Sequence, residues 1–77
     1  MYSFLTKKLQ NIDGTQMYQI QLEYYDESTD NYSIARMYVR KTEENEQKLS
    51  YFSKHDDITD YIGSKVRNDG KVVLILK

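Results

Sequence analysis

The closing run Gly70-Lys71-Val72-Val73-Leu74-Ile75-Leu76-Lys77 carries the longest unbroken apolar block in the chain. Five consecutive apolar residues, three of them β-branched, bounded by Gly and Lys, predict a strand buried on both faces. That is a strong constraint in a chain of 77 residues. A domain of this size buries only about 60% of its unfolded surface. One layer of structure can cover one face of such a strand, and the other face needs a further partner.

The remaining elements follow from local pattern. Tyr2–Leu9 predicts a first strand with apolar residues on both sides, as in a central strand or one carrying a bulge. Asp13-Gly14 predicts a hairpin turn. Gln16–Tyr25 alternates most clearly, with Tyr18, Ile20, Leu22 and Tyr24 on one face and Gln19, Gln21 and Glu23 on the other. After the polar turn Asp26–Asn31, Tyr32–Lys41 predicts the partner strand. Its core face carries Ser33, Ala35, Met37 and Val39, and its outer face carries Tyr32, Ile34, Arg36, Tyr38 and Arg40. Thr42–Gln47 reads as a charged turn and Lys48–Ser53 as a short fourth strand.

The period then changes. Ile58, Tyr61, Ile62, Lys65 and Val66 fall at helical spacing, with Asp56 or Asp57 as N-cap and Asn68-Asp69-Gly70 as the stop. The expected fold is one α+β domain spanning residues 1–77. Its elements run ββββαβ, giving an antiparallel sheet of about five strands with one helix on one face. Short connections favour the spatial order four, three, two, one, five, with the last strand at an edge beside the first. Val72, Leu74 and Leu76 then form a free apolar edge, and edge pairing predicts a homodimer through this strand.

Composition narrows the function classes. There is no Cys, so there is neither a disulfide framework nor a thiolate metal site. The N-terminal residues lack the layout of a signal peptide, and no apolar run approaches a membrane span. A cytoplasmic protein that does not associate with membranes is the expectation. Eleven Lys and Arg against twelve Asp and Glu give neither a basic nucleic-acid binder's excess nor an acidic mimic's. Eight Tyr, frequent Ile and a preference for Lys over Arg suit an A- and T-rich genome, such as a low-GC bacterium or its phage.

No metal, cofactor or catalytic constellation emerges. The stretch from Asp26 to Asp30 begins like a calcium loop, but Asn31 stands where Gly is required and Met37 where Glu is required. The lone His55 has Asp56 and Asp57 beside it but no nucleophile placed for it. Two binding surfaces stand out. Tyr32, Arg36, Tyr38 and Arg40 share one strand face, and Tyr and Arg are the residues most enriched in binding hot spots. Lys41, and Lys7 or Lys8 on the first strand, are placed to extend its charge, while cross-strand pairing alone also explains such tyrosines. Asp26, Glu27, Asp30, Asp56, Asp57 and Asp60 are expected at one end of the sheet, as turn and cap residues or as an acidic docking pole. The leading expectation is a small non-catalytic module that binds a protein, such as a phage or mobile-element regulator acting on a host protein. The alternative is a nucleic-acid-binding domain that uses the Tyr and Arg face.

Overall fold

In a computed structural model describing all residues from Met1 to Lys77, five strands form one sheet. They are β1 (Tyr2–Ile12), β2 (Thr15–Asp26), β3 (Asn31–Arg40), β4 (Ile62–Val66) and β5 (Val72–Leu76). One helix, α1 (Glu43–Leu49), and two single 3₁₀ turns, Phe52–Lys54 and Thr59–Tyr61, lie between β3 and β4. The α+β class stands. The sheet is mixed rather than purely antiparallel, because β3 and β5 run parallel.

The first three strands form the expected meander. Asp13 and Gly14 both take positive φ, 51° and 82°, as the two-residue type I′ turn demands. The Asn11 side chain accepts a bond from Gly14 N at 2.9 Å and locks that turn. In β2, Tyr18, Ile20 and Leu22 are buried, opposite Val39, Met37 and Ala35 of β3. β1 carries a bulge at Leu5, where the register with β2 shifts between Phe4 and Thr6. The bulge puts Phe4 opposite Leu22 and Lys7 opposite Ile20, so both belong to the inner face.

Three assignments from sequence are corrected. Residues 48–53 are not a strand. Thr42 caps α1, accepting from Asn45 N at 3.1 Å, and Glu43, Glu44 and Glu46 occupy the first turn, where the helix dipole favours acids. Residues 58–66 are not a helix. Ile62–Val66 forms β4 and pairs antiparallel with β5 from Ile62↔Leu76 to Val66↔Val72. Gly63 and Ser64 are weak helix formers, and a strand partner rich in Val, Ile and Leu outweighs the helical spacing. Gly70, at φ 84°, turns this hairpin rather than ending a helix.

The strand order is also corrected to β1-β2-β3-β5-β4. β5 stands between β3 and β4, so Val72, Leu74 and Leu76 do not form a sheet edge beside β1. Leu74 and Leu76 pack on the core instead, and Val73 and Ile75 alternate onto the outer face. The pairing Ile62↔Leu76 starts β4 on this far side of the sheet, yet Ile58 N bonds Tyr2 O of β1 at 2.9 Å. From Ile58 to Ile62 the chain passes through the 3₁₀ turn Thr59–Tyr61, rising about 2 Å per residue, so this link spans roughly 8 Å, and the bond to Tyr2 adds about one strand spacing, roughly 5 Å. A flat sheet would separate β1 from β4 by four spacings, roughly 19 Å. The sheet therefore curls, and Tyr2 lines a groove with Ile62, Gly63 and Ser64.

This curl creates the core. Tyr18, Ile20, Leu22, Met37, Val39 and Ile62 line the inner face, and Leu49, Phe52 and Ile58 cap it from the helical connection. Ile58 and Ile62 share this buried cluster with Ile20 and Leu22. Tyr61 packs partly buried against the cluster, whereas Val66 is 68% exposed. The second face of the sheet carries no helix.

Candidate functional site

The uncovered outer face is built by the β2–β3 hairpin. Its register sets Gln19 against Tyr38, Gln21 against Arg36, Glu23 against Ile34 and Tyr25 against Tyr32. All four residues singled out on β3, Tyr32, Arg36, Tyr38 and Arg40, are exposed on this one face. Tyr32 is 65% exposed, which excludes a purely core role. Its ring meets Tyr25 edge-on, centroids 5.6 Å apart, in a cross-strand pair. Gln19 Nε2 donates to the Tyr38 hydroxyl at 3.0 Å and steadies that ring on the surface.

The bulge in β1 decides which lysine joins the face. Lys8 pairs with Gln19, which in turn opposes Tyr38, so Lys8 belongs to the outer surface. Lys7 goes to the inner side, where its Nζ stands 4.7 Å over the Tyr18 ring. The Tyr18 hydroxyl donates to Glu46 Oε1 at 2.5 Å and ties α1 to the sheet. That bond, followed by burial, raises the Tyr18 pKa above its ordinary value.

β4 and β5 add a part that local sequence pattern did not reveal. Lys65 lies opposite Val73, on the same side as Ile75. Arg36 and Tyr38 of β3, Lys65, Arg67, Val73 and Ile75 line a cleft of about 470 Å³ along the β3–β5 seam. The outer face thus gathers Lys8, Arg36, Arg40 and Lys65, against the single carboxylate Glu23 among its strand residues. Near-zero net charge conceals this segregation, because the acids concentrate in α1 and the turns.

The six acidic residues expected at a pole do lie towards one end. Tyr2 pairs with Tyr24, two residues before the Asp26 turn, and Tyr2 also bonds Ile58 and Thr59 in the Asp56–Asp60 segment. Asp26 accepts from the Ser28 hydroxyl at 2.6 Å and from Ser28 N at 3.0 Å. Asp57 does the same for the Thr59 hydroxyl and N. These bonds lower both carboxyl pKa values. Asp26 and Asp57 therefore shape turns, and Glu27, Asp30, Asp56, Asp57 and Asp60 are all exposed. No group of three or more His, Asp or Glu side chains is disposed to hold a metal ion. His55 bonds Tyr51 O through Nδ1 at 2.8 Å and sits beside the Tyr51 and Tyr61 rings. No helix is long and apolar enough to cross a membrane. Comparison with protein-family models, curated proteins and solved structures finds no match to this chain.

Proposed function

We propose that the chain is a non-catalytic binding domain that holds single-stranded nucleic acid on the outer face of β2, β3 and β5. The observation that carries this reading is the grouping of exposed Tyr25, Tyr32 and Tyr38 with Arg36, Arg40, Lys8 and Lys65 on one uncovered surface. Aromatic rings stack on bases whatever their sequence, each worth about 1–3 kcal/mol, and a flanking basic surface follows the phosphates. A sheet face beside a curled core is suited to this task, because its side chains stand on rigid strands. A curled five-stranded sheet is also the general kind of scaffold from which partly open barrels that bind oligonucleotides and oligosaccharides are built. That likeness concerns topology alone and adds no site residue.

Retention on immobilised single-stranded DNA or RNA at low salt tests the reading. The wild type is retained and released by salt, and the double variant Arg36→Glu, Arg40→Glu is not retained. Failure of the wild type to bind either polymer at low salt overturns it. A second reading, a module that docks on a host protein as a phage or mobile-element regulator would, draws on the exposed acids Glu27, Asp30, Asp56 and Asp60 at one end of the sheet. It predicts that one basic protein is captured stoichiometrically from a bacterial lysate, and that capture is lost when these acids are changed to amides.

A further inference from the structure

The β3–β5 seam is the least conventional part of the sheet. Its ladder consists of one register pair, Met37↔Leu74, whereas β2 and β3 pair continuously from Met17↔Arg40 to Asp26↔Asn31. The cleft beside this short ladder is lined by three cations from three segments: Arg36 of β3, Lys65 of β4 and Arg67 of the β4–β5 turn. No carboxylate lines it. Arg67 is held by Asp69 at 2.6 Å, while Arg36 and Lys65 make no ion pair. Val73 and Ile75 give the cleft an apolar side, and Tyr38 forms another wall. Its volume, about 470 Å³, falls within the roughly 300–1,000 Å³ typical of small-ligand sites.

Resting on the nucleic-acid reading above, we infer that this seam is where the single strand's phosphodiester backbone is held. Arg36 and Lys65 contact phosphate, and the adjoining base stacks against Tyr38. The charge selects an anion. The apolar wall and the ring suit a phosphate that carries a base rather than a free inorganic anion. The two kinds of contact then have separable signatures. Each phosphate contact contributes to the salt dependence of binding, whereas stacking on a ring contributes affinity with little salt dependence.

Fluorescence anisotropy with a labelled oligothymidylate, over a salt series, reads both. For single strands each lost phosphate contact reduces the slope of log K against log salt by about 0.7. The double variant Arg36→Ala, Lys65→Ala is therefore expected to lose about 1.4 from that slope. Tyr38→Ala is expected to lose about fivefold or more in affinity at unchanged slope, the fold-change equivalent of at least about 1 kcal/mol. Lys54→Ala, on a 3₁₀ turn away from the cleft, is expected to keep the wild-type slope. A double variant that binds with the wild-type slope overturns the seam assignment while leaving the outer-face reading in place. So does an equal loss of slope in Lys54→Ala. A wild type that binds no oligonucleotide overturns both. All the substituted residues are exposed, and thermal melts of each variant verify that the fold is retained.

Discussion

Replacing Phe52 with Ala probes the segment where strand and helix assignments compete. Phe52 is 2% exposed; its ring meets Phe4 at 6.1 Å and Tyr61 at 6.0 Å. It joins the helical connection to both β1 and the start of β4. Deleting a buried Phe side chain costs about 3–5 kcal/mol, from lost transfer energy and the cavity left behind. For a domain of this length each kcal/mol lowers Tm by about 4–8 °C, so a fall of at least about 12 °C is expected. Total stability at about 0.05–0.15 kcal/mol per residue leaves little in reserve. The neighbouring Tyr51 supplies the control. It is 48% exposed and stacks on Tyr61 at 6.2 Å, so Tyr51→Ala should cost about 1 kcal/mol. A strand over residues 48–53 would reverse this order, because Leu49 and Tyr51 would then share the buried face. Thermal and urea melts followed by circular dichroism measure both variants. Greater loss in Tyr51→Ala than in Phe52→Ala would refute the packing described for this connection.

Three further outcomes are expected. Thr42→Ala removes the cap of α1 and should cost about 1 kcal/mol in urea melts, with Thr42→Ser close to wild type. Gly70→Ala meets no atom within 4 Å, so its cost is backbone strain at φ 84°, about 1–2 kcal/mol, read as a lower Tm. The lowered pKa of Asp57 means that its bonds to Thr59 stabilise the fold above the ordinary value of 3.8 and are lost as pH falls through the lower folded value. Asp57→Asn should therefore flatten the acid limb of the Tm-against-pH curve below that value, and an unchanged acid limb would contradict the role given to these bonds.

The parts legible in the sequence are those set by neighbours along the chain. Strict alternation from Tyr18 to Tyr24 and from Tyr32 to Arg40 fixes both faces of the β2–β3 hairpin, and with them the Tyr and Arg surface. Asp13-Gly14 specifies its own turn. The region from Thr42 to Val66 was less legible for physical reasons. α1 spans only two turns, too few for a clear apolar stripe, although Thr42 followed by three glutamates is a helix-start signal that was there to be read. β4 has five residues, so Ile62, Ser64 and Val66 offer only three positions to display a period of two. Ile58 and Tyr61, which complete the helical spacing, lie outside β4. The place of β5 depends on docking a whole hairpin parallel to β3, which no local pattern encodes. The seam, and the arrival of Lys65 beside Arg36, depend on that docking. Which of Lys7 and Lys8 faces outward turns on one bulge at Leu5.

The outer-face account is tested most directly by titrating an unlabelled oligothymidylate into ¹⁵N-labelled protein and following the backbone amide resonances. The account predicts shifts concentrated on the outer-face positions of β2 and β3, on Lys65 and on Val73 to Ile75. It predicts little change in α1 and in the Asp26–Asp30 and Asp56–Asp60 turns. A spectrum that does not change at low salt, or one whose changes fall on the acidic turns, would contradict it.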